Sequence, residues 1–273
     1  MTQYMTSLYE ERSPSEELQQ IGKSLCHLFP GWKVHLFGEI DSTNTEARRL
    51  GMTIGGDAWP RVLLADVQTE GRGRHGKTWS APANTALLAT IMIPQTLLKV
   101  KHSLISWAVA CWCMEGLERQ SLKDVGLKWP NDLLVNGQKI GGILCEQTGA
   151  AIVMGVGINL EQTRDQLPER PLSVPQATSL QLELGTSYPG RFSSSFSILT
   201  SLLESLEHPS SGEHILSQCR KKCLSIGQSV SFSDPLLGAI AGEAKTIEDD
   251  GSLLVEVPKH GTRKAWIPFQ EQG

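Results

Sequence analysis

The sequence has no apolar run long enough to cross a membrane. Its most hydrophobic stretch, Leu104 to Met114, is shorter than the roughly 18 residues that indicate a membrane-spanning helix. The first residues also lack the basic start and apolar segment of a secretory signal. Positive charge is in deficit, because the net charge is −4, so no overall basic field favours binding to nucleic acid or an anionic membrane. We therefore expect a cytoplasmic location and neither specific DNA nor a membrane as a partner.

Paired cysteines are also missing. The six cysteines of the chain include no C-x-x-C pair of the kind found in zinc and redox sites. Cys111 and Cys113 lie in a helical pattern, where residues two apart point to nearly opposite sides and cannot share a metal ion. We therefore predict buried free thiols.

The chain of 273 residues is long enough for one large domain and one small domain. Up to residue 222 apolar strands alternate with helical segments, whereas after Cys223 short alternating strands are separated by Gly and Asp turns. We predict an α+β fold with two domains. Residues 1–222 would form a mixed β-sheet with packed helices, beginning with a helical extension of about 30 residues, and residues 223–273 a small β-barrel.

The spacing of apolar residues predicts the individual elements. Ser13 or Ser15 can cap a first helix that runs to about Leu28, and Thr43 with Glu46 forms a capping-box pattern that opens a second helix ending at Gly51. The other predicted helices span residues 98–118, 192–206 and 214–223. The predicted strands span residues 34–40, 62–67, 86–93, 125–129, 133–135, 139–146, 151–158, 229–232, 240–247, 252–257 and 263–267. A tight hairpin turn is predicted at Asn136-Gly137, and an irregular segment at residues 161–188.

The segment from Gly71 to Trp79 has the features of an anion-binding loop. It holds three fixed cations and three glycines, although the protein as a whole is acidic. Glycine permits positive φ angles and close approach of backbone N–H groups to an anion, and arginine adds forked donors. We therefore expect this loop to fold over a phosphate or a carboxylate.

The residues of this loop allow two other interpretations. The loop satisfies the P-loop pattern up to Lys77 and Thr78, but a P-loop opens a helix, and here residues 79–84 lead into another strand. A P-loop NTPase is therefore disfavoured. A solvated basic loop, or a weak RNA contact, is common for a cluster of charges but explains neither the glycines nor the neighbouring motifs.

Several motifs taken together resemble those of biotin protein ligases. Gly71 to Trp79 resembles the family's signature loop, GRGRxGRxW, with Lys77 where the family usually has arginine. The other similar segments are DSTN at 41–44, Gln68, KWPND at 128–132, KIGGILCE at 139–146 and GVGIN at 155–159. The resemblance covers roughly residues 30 to 270. It implies a catalytic sheet of the class II aminoacyl-tRNA synthetase type with a C-terminal SH3-like barrel, in a monofunctional form without the DNA-binding winged helix of larger members.

This resemblance implies an ATP-dependent ligase that forms biotinyl-5'-AMP and then transfers biotin to a lysine of a biotin carboxyl carrier protein, a subunit of acetyl-CoA carboxylase. Negative charge builds at the α-phosphate during adenylation, so cations and N–H donors are needed there. The catalytic residues implied are Lys139, Arg74 and Asp132. The biotin-binding residues implied are Ser42, Thr43, Asn44, Gln68, Arg72, Gly73, Arg74, Lys139, Gly142 and Gly157. The residues implied for ATP and the adenylate are Arg72, Arg74, Lys77, Trp79, Asn131 and Lys139, with Mg²⁺ at Asp132.

Some of these residues also have a purely structural interpretation. Ser42 and Gln68 can supply the polar partners that the ureido ring of biotin needs, whereas Thr43 also fits the role of a helix cap. Lys139 follows a tight turn and, without the resemblance, would be taken as an exposed hairpin lysine. Trp79 is expected to stack on adenine, with burial in the core as the alternative.

Four further positions have both a functional and a structural interpretation. Asn131 is expected to contact adenine, and Asp132 to hold Mg²⁺ or to orient a lysine, although Pro-Asn-Asp is also an ordinary turn sequence. Gly155 and Gly157 are expected to let the backbone approach biotin closely, or else to mark a strand bulge.

Two other functions remain as alternatives. A lipoate or octanoate protein ligase or transferase would share the sheet architecture, but as the resemblance implies, it would lack the glycine and arginine loop in this form. A noncatalytic nucleotide- or RNA-binding module is disfavoured by the acidic charge and the absence of aromatic RNA-binding motifs. The oligomeric state stays open, because an exposed strand edge could pair with a carrier or with a second copy.

Overall fold

The computed structural model describes residues 4–6, 12–53, 60–171, 174–266 and 270–271. Its helices are α1 (Glu16–Leu28), α2 (Thr43–Thr53), α3 (Ile105–Glu118), α4 (Leu180–Leu184), α5 (Arg191–Glu207) and α6 (Gly212–Lys222). Its first strands are β1 (Tyr4–Thr6), β2 (Lys33–Phe37), β3 (Arg61–Ala65), β4 (Ala86–Pro94), β5 (Val125–Lys128), β6 (Asp132–Val135), β7 (Gln138–Thr148) and β8 (Ala151–Asn159). The later strands are β9 (Ser229–Asp234), β10 (Gly238–Ile247), β11 (Leu253–Val257), β12 (Gly261–Ala265) and β13 (Gln270–Glu271).

Within these residues, nine strands form one mixed sheet in the order β1-β2-β3-β4-β8-β7-β6-β5, with β13 pairing with β7. The pairs β1–β2, β2–β3 and β13–β7 are parallel, and the remaining pairs are antiparallel. The predicted α+β class with a mixed sheet is therefore confirmed. The order places β8 between β4 and β7 in the middle of the sheet.

Each face of this sheet carries a hydrophobic cluster. Along β4, Leu87 and Ile91 belong to one hydrophobic cluster and Leu88 and Met92 to another, as the alternation of side chains along a strand requires. Helices α1, α3 and α5 pack in the first cluster, and α2 contributes Ala47 to the second. The start of α2 therefore lies against the face of the sheet opposite the large helical layer.

The N-terminal cap of α1 is one of the two residues predicted from the sequence, whereas the cap of α2 differs from the prediction. Ser15 caps α1, since its hydroxyl accepts a hydrogen bond from Leu18 N at 3.2 Å. The predicted capping box of α2 is wrong by one residue, because Thr43 is already helical and Ser42 O accepts the hydrogen bond from Glu46 N. Thr43 turns its hydroxyl towards Gln68 instead.

The long predicted helix at residues 98–118 is shorter in the structure. It begins only at Ile105, because residues 95–97 and 102–104 form separate 3₁₀ turns, whose repeat of three residues also satisfies the apolar spacing. The segment predicted to be irregular contains the short helix α4. The predicted hairpin turn is confirmed, with positive φ angles of 49° at Asn136 and 74° at Gly137.

The C-terminal strands form a second, four-stranded antiparallel sheet in the order β12-β11-β10-β9. Among the described residues, β12 and β9 are in contact but are not paired by strand hydrogen bonds, so the sheet fits the predicted small SH3-like unit, and its closure into a barrel stays a prediction. The sheet packs on the large helical layer, where Trp107 Nε1 donates a 2.8 Å hydrogen bond to Gly251 O. Helix α6 ends at Lys222, but the proposed domain boundary at 222/223 stays a prediction, and Ile267, predicted to end the last strand, lies outside the described residues.

Among the described helices, none combines the length and the apolar character that a membrane span demands. The six cysteines are free thiols, as predicted, and all but Cys26 are buried.

Candidate functional site

A cavity of about 430 Å³ opens between α2, the loop of residues 68–79, strands β7 and β8, and the small C-terminal sheet. The fourteen site residues selected from the sequence all line it, although they come from five separate segments: Ser42, Thr43, Asn44, Gln68, Arg72, Gly73, Arg74, Lys77, Trp79, Asn131, Asp132, Lys139, Gly142 and Gly157. Their convergence depends on the sheet order, because β7 and β8 form the floor beneath the loop. Their individual roles stay predictions.

The first wall of the cavity is a set of uncharged polar groups at the start of α2. Gln68 Oε1 accepts hydrogen bonds from Thr43 N at 2.8 Å and from Thr43 Oγ1 at 2.9 Å. These contacts fix the carbonyl end of the Gln68 amide, so its Nε2 end is oriented as a donor. Ser42 is buried beside them, with its backbone N–H held by Asp41 at 2.6 Å.

Asn44 is engaged mostly inside the protein. Its Nδ2 donates to Leu144 O at 3.2 Å and to Glu146 Oε2 at 2.9 Å, while its Oδ1 accepts from Thr90 Oγ1 at 2.6 Å. Both donor hydrogens of the amide are therefore used. For the predicted direct contact with biotin, Asn44 has one acceptor site left, on Oδ1.

The signature loop folds back on itself as a small hairpin. Gly73 N donates to Lys77 O at 2.7 Å, and Trp79 N donates to Gly71 O at 2.9 Å. The turn at the tip has positive φ angles of 54° at His75 and 70° at Gly76. Because the Gly73 N–H is used within the hairpin, the expected anion binding depends here on side chains more than on this backbone donor.

Three cations of the loop differ in their surroundings. Arg72 forms an ion pair with the buried carboxylate of Glu146, with Nη2 at 3.3 Å from Oε1. Arg74 is half-buried, and this burial lowers its pKa, an effect that the nearby Asp132 opposes. Lys77 is exposed at the mouth of the cavity. The loop therefore presents one fixed, one half-buried and one solvated charge.

Trp79 lies flat against the floor of the cavity. A Cβ atom on Gly157 would come within 2.6 Å of the indole Cε2, whereas one on Gly142 would lie 3.7 Å from Cζ3. The Lys139 ammonium lies 5.9 Å from the indole ring centroid, within cation–π range.

Two glycines of β8 give room to side chains of the protein. Gly157 makes room for the indole of Trp79, and Gly155 makes room for Asn44, whose Oδ1 would lie 2.2 Å from an added Cβ. Both glycines are thus approached closely by protein side chains, and their predicted approach to biotin stays a prediction.

The β6–β7 hairpin supplies the opposite wall. Lys139 Nζ lies 2.5 Å from Asp132 Oδ1, and the backbone of Lys139 is held by Gln176 O and by Thr178 N. Asn131 Nδ2 donates to Ile143 O at 2.8 Å, which leaves its Oδ1 as the free end of that amide. Lys139 is therefore fixed at both its backbone and its ammonium group, unlike an ordinary exposed hairpin lysine.

Several residues around the cavity were not selected from the sequence. Glu146 and Thr90 lie under the polar wall, and Arg170, Phe232 and Trp266 line the cavity from distant segments. The one local signal for Glu146 was an acid directly after the apolar run of β7. The other residues carry no local signal, because only the packing of the C-terminal sheet and the loop after β8 brings them to the cavity.

The described residues contain no group of three or more acids, histidines or cysteines that could hold a metal ion. Asp132 is the one carboxylate among the described residues that line the cavity. Mg²⁺ often binds through one or two carboxylates together with substrate phosphates and water, so a site completed by a nucleotide fits these residues, whereas a site made by protein ligands alone does not.

The chain matches the Biotin/lipoate A/B protein ligase family over residues 36–161. It is 30% identical over 259 residues to the biotin–[acetyl-CoA-carboxylase] ligase of Mycobacterium tuberculosis, a match that spans 93% of this chain and 94% of that protein. A ligase of the same name from Paracoccus denitrificans is 35% identical over 157 residues, or 55% of this chain and 63% of the relative. The biotin protein ligase from Aquifex aeolicus in complex with biotin and ATP has a similar fold, with a TM-score of 0.68, 24% identity, and coverage of 85% of this chain and 95% of that one. The likeness to the mycobacterial enzyme extends over nearly the whole of both chains, and this chain therefore belongs to the biotin protein ligase family.

Proposed function

We propose that this protein joins biotin to ATP as biotinyl-5'-AMP and then transfers biotin to a lysine of a biotin carboxyl carrier protein, a subunit of acetyl-CoA carboxylase, in the cytoplasm. One observation carries this proposal beyond family membership. The cavity is lined by five lysines and arginines and a single acid, in a protein whose net charge is −4. These cations are Arg72, Arg74, Lys77, Lys139 and Arg170. Such a concentration of positive charge beside an uncharged polar wall suits a substrate with one anionic end.

In the first step an oxygen of the biotin carboxylate attacks the α-phosphorus of ATP, the bond to the bridging oxygen breaks, and pyrophosphate leaves. The incoming carboxylate and the phosphate repel each other, and charge grows on the phosphate oxygens in the transition state. Lys139 and Arg72 both have their charged groups fixed by carboxylates before a ligand binds. Preorganised cations of this kind stabilise developing charge without a reorganisation cost.

The ureido end of biotin requires donors and acceptors at the other end of the cavity. Ser42 and the Nε2 group of Gln68 suit this role best, because Gln68 Oε1 is already bound to Thr43. A buried polar group left without a partner costs about 1 to 3 kcal/mol, so these groups would select a polar ring over a purely apolar chain. This selection favours biotin over lipoate.

We assign the adenylate to the side of the cavity bounded by Trp79, Asn131 and Lys77. The free Oδ1 of Asn131 is suited to accept from the amino group of adenine, and Trp79 offers an aromatic surface. Mg²⁺ would enter with the nucleotide and neutralise phosphate charge, with Asp132 as the carboxylate that could reach it.

In the second step the uncharged amine of the carrier lysine attacks the acyl carbon, an amide forms, and AMP leaves with the electron pair of the anhydride bond. The mixed anhydride has to be kept from water until the carrier arrives. The hairpin of residues 71–79, which carries Arg74 at its tip, is the element that could cover the intermediate.

Exchange of labelled pyrophosphate into ATP tests the first step. Exchange should occur with biotin and Mg²⁺ together and should stop when either is left out. Exchange that depends on lipoate and not on biotin would overturn the assignment. Transfer is then tested with an isolated biotin carboxyl carrier domain and a matched domain whose acceptor lysine is replaced by arginine, and only the first should become biotinylated.

A further inference from the structure

Glu146 is a carboxylate that lies beneath the cavity and has 1% of its side chain exposed. It directly follows the largely apolar run of residues 140–145 of β7 and lies opposite Val153 of β8. A buried charge is unfavourable unless ion pairs and hydrogen bonds compensate it. Glu146 does not line the cavity itself, so its partners have to explain why it is there.

Two partners compensate this charge, and both do line the cavity. Arg72 approaches with Nη2 at 3.3 Å from Oε1 and Nη1 at 3.5 Å from Oε2. Asn44 donates its Nδ2 to Oε2 at 2.9 Å. One carboxylate therefore holds a cation of the signature loop and an amide at the start of α2 at the same time.

The hydrogen bonds continue from Asn44 to the groups proposed to bind the ureido ring. The Thr90 hydroxyl lies 2.6 Å from Asn44 Oδ1 and 2.8 Å from Thr43 Oγ1. Since Asn44 Oδ1 can only accept, Thr90 gives its single proton there, and Thr43 is left to share its own proton between Thr90 and Gln68. Thr90 is fully buried, so water cannot replace these contacts. A continuous path thus joins Arg72 to Gln68 through Glu146, Asn44 and the two threonines.

We propose that Glu146 is a positioning residue of the biotin site, which holds Arg72 and the polar wall in their binding arrangement before biotin arrives. This inference rests on the proposed function. Glu146 touches no substrate and acts through Arg72 and Asn44. An arginine side chain that is already ordered loses less conformational freedom when it meets an anion, so preorganisation lowers the cost of binding. The effect of losing Glu146 should therefore fall on biotin more than on ATP.

Glu146→Gln tests the proposal, because glutamine keeps the size of the side chain but removes its charge and one of its two acceptor oxygens. We expect the KM for biotin in pyrophosphate exchange to rise about tenfold or more, with the KM for ATP changed less than threefold. Asp234→Asn is the matched control, since it removes another buried carboxylate, in β9, and should leave both constants unchanged. An unchanged KM for biotin in Glu146→Gln would overturn the proposal.

A double-mutant cycle separates positioning from a general structural role. In a background of Arg72→Met, Glu146 has no cation left to position. The substitution Glu146→Gln should therefore lower kcat/KM for biotin less in this background than in the unaltered protein, and the factor of the decrease should be at least threefold smaller. Equal factors in the two backgrounds would show that Glu146 does not act through Arg72.

Two further measurements keep the test decisive. In the ligand-free protein, Glu146→Gln should speed amide hydrogen exchange in residues 71–79, and Asp234→Asn should not. Unchanged exchange in the loop would count against positioning whether or not biotin is the substrate.

If Glu146→Gln does not fold, Thr90→Val breaks the same path at its centre and should still raise the KM for biotin several-fold. A KM within twofold of the original value in Thr90→Val would refute the path. Absence of biotin-dependent exchange in the unaltered protein would instead refute the proposed function.

Discussion

Lys139 Nζ and Asp132 Oδ1 lie 2.5 Å apart across the β6–β7 hairpin, where the register sets Asp132 opposite Gly142 and Lys139 opposite Leu134. Each side chain keeps about a fifth of its surface exposed. The pair is therefore partly desolvated, and the cost of removing both charges from water offsets much of their attraction, so its net contribution to folding is expected to be about 1 kcal/mol. Its importance is expected in binding and chemistry more than in folding.

Replacement of Lys139 should separate activity from stability. Lys139→Ala should slow biotin adenylation about a hundredfold or more, because it removes a preorganised cation from the phosphate. The free energy of unfolding should change by about 1 kcal/mol or less. Pyrophosphate exchange and urea unfolding measure the two effects. Lys245→Ala is the control, because it removes a lysine paired with Glu243 and Glu256 in the small sheet. It should slow adenylation no more than slightly and should change the free energy of unfolding by about 1 kcal/mol or less. Full activity in Lys139→Ala would return this residue to the status of an ordinary hairpin lysine.

Replacement of Arg74 should release the intermediate. Arg74 is half-buried at the tip of the loop, and other cations still line the cavity when it is removed. Arg74→Gly should therefore weaken retention of biotinyl-AMP more than it slows its formation. Incubation with biotin, ATP and albumin should then biotinylate lysines of the albumin. Labelling no greater than with the unaltered protein, while adenylate still forms, would show that Arg74 does not retain it.

Two glycines at the floor of the cavity should respond differently to a methyl group. In Gly157→Ala the new Cβ would lie 2.6 Å from Trp79, so the indole has to move, and overpacking of this kind costs about 1 to 3 kcal/mol. In Gly142→Ala the nearest atoms lie 3.7 Å away, an ordinary contact. Thermal unfolding should show a clear loss of stability for the first variant and little for the second. Equal effects would mean that Trp79 does not pack against Gly157.

The buried His35 should make stability depend on pH. Arg61 Nη1 lies 3.2 Å from His35 Nε2, and because a guanidinium only donates, the imidazole accepts and stays neutral. Burial, with the charges of Arg61 and Lys33, lowers the pKa of His35 to about 4. A lowered pKa means that the folded state resists protonation, so stability is complete above pH 6.5 and falls as the pH drops towards 4.

The size of this effect can be measured by difference. Between pH 7 and pH 4.5 the His35 contribution should reduce the free energy of unfolding by about 2 to 3 kcal/mol. His35→Gln keeps an acceptor but does not titrate. Between pH 7 and pH 4.5 its free energy of unfolding should therefore fall by about 2 to 3 kcal/mol less than that of the unaltered protein. Parallel pH profiles for the two proteins in urea unfolding would contradict this account.

The thiols should be almost unreactive in the folded protein. Burial raises the pKa of Cys26, Cys145 and Cys223, and in Cys145 to about 12, so few thiolates form at neutral pH. Iodoacetamide should label the native protein slowly and at Cys26 first, but all six cysteines after unfolding. Labelling of four cysteines in the unfolded protein would reveal a disulfide between Cys111 and Cys219, whose Sγ atoms lie 2.9 Å apart.

Local patterns in the sequence were sufficient to select the cationic loop, the tight turn before Lys139 and the beginning of α2, whereas the resemblance to biotin protein ligases selected the polar residues at the start of α2. Each depends on neighbouring residues, because glycine content, turn propensity and capping act over a few positions of the chain. The exact cap of α2 was missed because Thr43 has a competing partner, Gln68, which is 25 residues away.

The sequence by itself determined which chemistry the protein can perform, since the charged and polar residues selected for the site stand in short motifs. Only the tertiary structure decided what supports them. The burial of Glu146, the contact of Thr90 with Asn44, and the space that Gly157 gives to Trp79 all follow from placing β8 between β4 and β7. Strand order is set by the packing of the whole core, which is a sum of many weak contacts between distant residues and has no local signature.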